Sequence, residues 1–130
     1  MKYLIPALIS IPALISLAAL LSASSVAAQA DPGQRAFLQC RACHSLKAGE
    51  PNKTGPNLNR IFGAKAGTVR KDYKYSAALN ASGIVWSEAT LDAWLSNPAA
   101  VAKGNRMAFA GMPNAQARKA LIVWLKRETR

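Results

Sequence analysis

The chain has 130 residues and a formal net charge of +11, from 17 Lys and Arg against 6 Asp and Glu, and it contains 2 Cys and 1 His. So few thiols and imidazoles exclude a zinc knuckle, which needs about four such ligands. The positive charge indicates association with acidic surfaces. Because the sequence shows no zinc finger, recognition helix or aromatic–basic platform, we predict that it does not bind nucleic acid.

The N-terminal segment, residues 1–30, has the composition of an export signal. A short basic start is followed by an almost wholly apolar stretch from Leu4 to Leu21, and then by small and polar residues. Ala28-Gln29-Ala30 matches the A-x-A pattern at which signals are cleaved. We therefore predict an exported protein that is cut after Ala30, with no stable membrane insertion after cleavage.

The alternative is that this segment stays uncut as a membrane anchor. Its apolar stretch is somewhat long for a signal, although Pro6 and Pro12 interrupt it and weaken it as a spanning helix. Without the 30 residues of the signal, residues 31–130 form one small domain whose net charge is +10 once Lys2 is subtracted. A domain this small often needs a staple, such as a metal or a covalent cross-link.

A helix is predicted at the start of this domain. Asp31 can cap it, and Pro32 suits its first position. We expect the helix to run to about Ala42, with Phe37 on its buried side. Gly33 lacks a side chain and would allow another helix to approach closely.

The motif Cys40-Arg41-Ala42-Cys43-His44 carries the chemistry. Its C-x-x-C-H pattern is the attachment signature of a c-type haem, and positions i, i+3 and i+4 share one face of a helix. Both sulfurs can therefore bond to the porphyrin edge while His44 supplies an axial nitrogen to the iron. A thioredoxin-type redox pair would need a βαβ pattern, which is absent, and a Cys40–Cys43 disulfide would leave His44 without a role. We also predict that the chain without haem is largely unfolded.

A loop follows from Ser45 to Asn59. A ligating imidazole usually donates its second N–H to an acceptor that fixes the ring, and a carbonyl in Gly55-Pro56-Asn57 suits this role. The next segment contains Tyr73 and Tyr75 and a short helix of one or two turns, and Trp86 comes after it. These three aromatic residues are core residues by default, and their O–H and N–H groups could instead meet the haem propionates.

Two clearer helices complete the domain. One opens with Ser87-Glu88-Ala89-Thr90, and Asn97-Pro98 ends it. Its apolar face comprises Leu91, Trp94 and Leu95. The other begins after Asn114 and carries the apolar stripe Ala117, Leu121, Trp124 and Leu125. The intervening residues 101–113 are predicted to be irregular.

The irregular segment contains the two methionines of the domain, Met107 and Met112. With a single histidine in the chain, the sixth iron ligand must be a methionine or an amine, or the position must be open. A methionine would raise the reduction potential and leave small molecules no coordination place. Either methionine could instead fill a gap in the core, and the local context favours Met107 only weakly.

The sequence resembles the class I c-type cytochromes, of the mitochondrial cytochrome c and bacterial cytochrome c2 kind. The resemblance covers nearly all of residues 32–126, and its most specific segments are Gly33…Phe37…Cys40-Arg41-Ala42-Cys43-His44, Lys53-Thr54-Gly55-Pro56-Asn57-Leu58, Ile61-Phe62-Gly63, Gly83-Ile84-Val85-Trp86, Thr90-Leu91…Trp94-Leu95…Asn97-Pro98 and Gly104-Asn105-Arg106-Met107-Ala108-Phe109-Ala110-Gly111. It implies an all-α fold of four or five helices around one covalently attached haem c. It also implies Met107 as the axial ligand, Pro56 as the carbonyl that accepts from His44, and Tyr75 and Trp86 as propionate partners.

Some positions depart from the pattern of the family. Ala64 stands where an arginine often lies near a propionate, Trp94 where a tyrosine often bonds the methionine sulfur, and Leu79 where an asparagine often holds internal water. Ala99 and Ala100 replace typical interface lysines. The basic residues that remain candidates for a docking face are Arg41, Lys47, Lys53, Lys103 and Arg106.

The resemblance implies a soluble, monomeric single-electron carrier of the periplasm rather than an enzyme. Its expected partners are acidic faces of redox proteins: a cytochrome bc-type complex, a terminal oxidase, a reaction centre or a dehydrogenase. The alternatives are a membrane-anchored or complex-bound cytochrome subunit, and a small haem peroxidase or sensor with an open sixth position.

Overall fold

The computed structural model describes residues 30–130, which fold into five helices. They are α1 (Pro32–Phe37), α2 (Ala77–Ala81), α3 (Glu88–Ser96), α4 (Pro98–Val101) and α5 (Ala115–Glu128). Within this part of the chain, the β pairing is limited to one isolated antiparallel bridge between Lys65 and Val85. The prediction of an all-α domain is therefore confirmed, whereas the predicted signal lies outside the described residues except for Ala30. Among residues 30–130, no helix combines the length and the apolar character needed to cross a membrane.

Helix α1 begins as predicted and ends earlier than predicted. The carboxylate of Asp31 accepts the backbone N–H of Gly33 at 2.7 Å and so caps the helix. The helix stops at Phe37 instead of reaching Ala42, because the chain tightens there into turns whose N–H groups reach back three residues as well as four. Cys40 N–H, for example, donates to Phe37 O at 2.8 Å. The predicted boundary was wrong because turn geometry of this kind leaves no mark in the hydrophobic pattern.

The terminal helices α1 and α5 pack against each other at Gly33. A Cβ atom at Gly33 would lie 2.3 Å from both the carbonyl oxygen of Ala120 and the Cβ atom of Trp124. One turn along, the rings of Phe37 and Trp124 are tilted against each other with their centroids 5.1 Å apart. The close approach that the sequence predicted at Gly33 therefore exists, and it allows two large aromatic rings to be buried together.

Two reciprocal hydrogen bonds cap the N-terminus of helix α3. The Ser87 hydroxyl accepts the N–H of Thr90 at 3.2 Å, while the Thr90 hydroxyl accepts the N–H of Ser87 at 2.8 Å, a reciprocal capping box. The predicted apolar face is buried, with Leu91, Trp94 and Leu95 each 5–6% exposed. Helix α3 ends where Asn97-Pro98 predicted, and α4, which was not predicted, starts directly at the proline.

A buried arginine joins α3 to α5. Arg118 is 9% exposed, and its guanidinium donates to Asp92 Oδ1 at 2.8 Å and to the carbonyls of Met112 and Pro113 at 2.7 and 3.0 Å. Its two acceptor carbonyls lie in the segment that leads into α5, so Arg118 ties this segment to the first turns of α5. The sequence analysis assigned this residue no role.

Candidate haem site

One cavity lies between the helices and the loops. It has a volume of about 230 Å³. Its walls are mainly aliphatic and aromatic, and include Leu58, Val69, Leu79, Leu91, Leu95 and Leu121. All seven residues that the sequence analysis assigned to the cofactor line this cavity: Cys40, Cys43, His44, Pro56, Tyr75, Trp86 and Met107. The fold thus brings together residues from five separate segments of the chain.

The two cysteines lie on the turns that follow α1, next to the cavity. Cys40 is half-buried and Cys43 is exposed, and neither is in a disulfide. Burial, assisted by the neighbouring Cys43, raises the pKa of the Cys40 thiol to about 11. Redox-active cysteine pairs work through a lowered thiol pKa. The environment of Cys40 therefore argues against a thioredoxin-type function for this pair.

His44 is held by a single strong contact. Its Nδ1 atom lies 2.7 Å from the carbonyl oxygen of Pro56, which places the proton on Nδ1 and leaves the Nε2 lone pair free for a metal. Burial lowers the pKa of His44; the hydrogen bond to Pro56 opposes this, and the charge of Lys53 adds a smaller lowering. The ring is therefore neutral near pH 7, the form that binds a metal.

Gly55 makes room for this ring. A Cβ atom at Gly55 would lie 2.4 Å from His44 Cε1, so any larger residue would push the imidazole away from its acceptor. The backbone N–H of Gly55 also donates to Cys43 O at 2.8 Å. The loop is thus tied to the cysteine motif next to His44.

The two methionines occupy different places. Met107 lines the cavity, and its N–H donates to the side chain of Asn105 at 2.9 Å. The Asn105 amide in turn donates to the carbonyls of Pro98 and Ala102 at 3.1 and 3.0 Å, which anchors this irregular segment to α4. Met112 is 6% exposed in the hydrophobic core and is not among the residues that line the cavity. The position of Met107 in the cavity wall is consistent with its predicted role as the axial ligand, which stays a prediction.

Two aromatic residues complete the predicted set. The Tyr75 hydroxyl accepts the N–H of Arg70 at 3.1 Å, and burial raises the pKa of Tyr75. The ring of Trp86 meets that of Trp94 edge to face, with the centroids 5.5 Å apart. Tyr75, Trp86 and Trp94 all line the cavity. These three aromatic side chains therefore form part of the cavity wall, and the role of Tyr75 and Trp86 as propionate partners stays a prediction.

The donor atoms fit an iron porphyrin better than a bare ion. In the described part of the chain, no group of three or more His, Cys, Asp or Glu could hold a metal ion. The cavity offers one imidazole and one thioether, which are axial ligands of haem iron. The remaining coordination positions must then come from the cofactor itself, and the apolar walls suit a large flat ring.

Comparison with known proteins gives the family. No protein-family profile matches the chain, but individual proteins do. The chain is 42% identical over 103 residues to cytochrome c2 of Rhodomicrobium vannielii, a match that covers 78% of this chain and 82% of that protein. It is 41% identical over 107 residues to cytochrome c of Arabidopsis thaliana, covering 82% of this chain and 95% of that protein. The chain belongs to the cytochrome c family.

The fold of this cytochrome agrees with that assignment. The solved structure of cytochrome cH from Methylobacterium extorquens superimposes with a TM-score of 0.70 at 38% identity, over 74% of this chain and 95% of that chain. As a class I c-type cytochrome, the protein carries covalent haem c and transfers electrons rather than catalysing a reaction on a substrate. The predictions of family, fold and cofactor are confirmed.

The sequence analysis did not predict the hydrogen bonds that connect the loops around the site. Arg70 donates from Nε to Asn57 O at 3.1 Å, and from Nη2 to Asn57 Oδ1 and Asn59 O at 3.2 and 3.1 Å. The Tyr73 hydroxyl donates to Thr54 O at 2.8 Å. These bonds fasten the segment that carries Tyr75 to the loop that carries Pro56. No signal in a single sequence pairs positions so far apart.

Proposed function

We propose that this cytochrome is a periplasmic single-electron carrier whose iron is ligated by His44 and Met107 and whose haem is bonded to Cys40 and Cys43 through thioethers. The observation that supports it is that all four side chains line a single, mainly apolar cavity. Bound haem supplies a one-electron iron couple. The chain itself contributes to this couple in three ways.

The first contribution of the chain is to hold the imidazole in one orientation. The hydrogen bond from His44 Nδ1 to Pro56 O and the close approach of Gly55 leave the ring little freedom. A fixed ligand reduces the rearrangement that accompanies a change of charge. The site is therefore suited to gain and lose an electron quickly.

The second contribution is to close the other side of the cavity. The segment around Met107 is anchored through Asn105 to α4, and Phe109 N–H donates to Met107 O at 2.9 Å. A neutral thioether in an apolar, water-excluding pocket disfavours the extra positive charge of ferric iron and so raises the reduction potential. A thioether in the sixth position would also leave no open site for the ligand of a peroxidase or a gas sensor.

The third contribution is a basic exterior for partner recognition. The exposed residues Arg41, Lys47, Lys53, Lys103 and Arg106 remain the proposed docking face. Lys53 is oriented by a bond from Nζ to Arg41 O at 2.8 Å. Such a charge steers acidic redox partners into an encounter that is quick to form and to release. We propose a cytochrome bc-type complex, an oxidase, a reaction centre or a dehydrogenase as the partner of a monomeric carrier that is exported through cleavage after Ala30.

The methionine pair offers a matched test of the ligation. Met107→Ala should convert the haem-loaded protein from a low-spin form that binds carbon monoxide poorly into a high-spin form that binds it readily. Met112→Ala removes the same side chain from the core, so it should lower stability by about 2–5 kcal/mol and keep the low-spin spectrum. A low-spin spectrum in the Met107 variant, or a high-spin spectrum in the unmodified protein, would disprove the proposed ligation.

A further inference from the structure

The peptide group that accepts the proton of His44 is itself bonded on its far side. Pro56 C=O, which lies 2.7 Å from His44 Nδ1, and Asn57 N–H belong to the same peptide unit. Asn57 N–H donates to Asn52 Oδ1 at 2.8 Å, and Asn52 Nδ2 donates to Asp72 Oδ2 at 2.9 Å. A continuous series of three hydrogen bonds therefore leads from an exposed carboxylate to the imidazole.

The direction of every bond in this series is fixed by chemistry. A carboxylate can only accept and a backbone N–H can only donate, so the Asn52 amide has one orientation that satisfies both neighbours. Asn57 is 1% exposed, and its side chain donates to Lys47 O and Glu50 O at 2.8 and 2.9 Å. Arg70 holds the same residue from the other side. The peptide unit cannot turn away from His44 without breaking several of these contacts.

We propose that Asp72 and Asn52 are positioning residues that act through this peptide unit to strengthen the hydrogen bond to His44 and thereby lower the reduction potential of the haem iron. The inference rests on the proposed ligation of the iron by His44. Hydrogen bonds in series polarise one another, and an ionised acceptor at the end of the series is the strongest kind. A stronger acceptor at Nδ1 makes the imidazole a better donor to the metal. A better donor favours ferric iron, which carries the higher charge.

The same carboxylate could also act through space, and the structure separates the two routes. Asp72 is exposed, and two lysines, Lys71 and Lys74, lie within two positions of it in the chain. Water, salt and these cations screen its direct field at the iron. An effect through space does not need Asn52, whereas the hydrogen-bonded series does. The coupling between the two residues is therefore the quantity to measure.

The experiment uses the haem-loaded protein and the variants Asp72→Asn, Asn52→Ala and their combination. Asp72→Asn keeps an acceptor oxygen for Asn52 and removes only the charge. Two quantities are measured: the reduction potential, and the chemical shift of the His44 Nδ1 proton in the reduced protein. Each single variant should raise the potential and move this proton to higher field, and Asp72→Asn should change neither quantity further once Asn52 is replaced. Glu88→Gln removes one exposed negative charge elsewhere and should leave the proton shift unchanged.

Several results would overturn the inference. If Asp72→Asn changes the potential equally with and without Asn52, the carboxylate acts through space. If neither single variant changes the chemical shift of the His44 Nδ1 proton, the series of hydrogen bonds does not transmit the effect of Asp72. Should Asn52→Ala fail to fold, Asn52→Ser takes its place, because a serine side chain is too short to reach Asp72. A wild-type protein whose His44 resonances show no effect of bound iron would instead disprove the ligation itself. The two failures are thus distinguishable.

Discussion

Replacing Gly33 with alanine tests whether the crossing of α1 and α5 is as close as the structure shows. The added Cβ atom would lie 2.3 Å from a backbone carbonyl oxygen and from the Cβ atom of Trp124. Neither neighbour is the free end of a flexible side chain, so the helices must separate by about 1 Å to restore ordinary contact distances. Separation also loosens the contact between Phe37 and Trp124, whose rings are 5.1 Å apart.

The magnitude follows from two opposing effects of the substitution. Overpacking of this kind costs about 3 kcal/mol, the upper end of the usual range, because the neighbours cannot rotate away. The higher helix propensity of alanine returns about 1 kcal/mol at most. We therefore expect Gly33→Ala to reduce the free energy of unfolding by about 2 kcal/mol. In a domain of this size, that loss lowers the melting temperature by roughly 8–16 °C.

The assay is thermal and denaturant unfolding of the haem-loaded protein, followed by circular dichroism and by haem absorption. Gln34→Ala provides the matched control, because it changes the adjacent exposed position and should alter stability by less than about 0.5 kcal/mol. A Gly33→Ala protein as stable as this control would mean that the helices do not cross at Gly33, and the account of the core would have to be revised.

Three further predictions address other contacts. Arg118→Met leaves two carbonyls and a carboxylate without their donor and should cost about 2 kcal/mol of stability in denaturant unfolding; a loss below 0.5 kcal/mol would contradict the described contacts. Arg127 holds the pKa of Asp31 below its ordinary 3.8, so this carboxylate stabilises the fold above about pH 4 and stops doing so as the pH falls through the lowered value; Asp31→Asn, which still caps the helix, should be the less stable protein at pH 7, and the difference from wild type should disappear once the pH is below that lowered value. Gly55→Ala should displace His44 and weaken its ligation, visible as a loss of low-spin absorption, and an unchanged spectrum would show that the ring tolerates the extra atom.

Local chemistry accounts for what the sequence by itself determined. The C-x-x-C-H spacing identifies the cofactor, and the caps at Asp31, Ser87 and Asn114 start three helices where they were predicted. Such signals act within one or two turns of the chain, so a single sequence contains all of the information they need. The periodicity of Leu91, Trp94 and Leu95 likewise predicted a buried face that the structure confirms.

Only the tertiary structure decided the matters that depend on distance in space. Met107 and Met112 are equivalent in composition, and the fold alone sends one to the cavity and the other to the core. The bond from His44 to Pro56 spans 12 positions, the one from Asn52 to Asp72 spans 20, and the one from Arg118 to Asp92 spans 26. Polar contacts of this range have no period and no local motif, because they arise from how separate loops come to lie side by side.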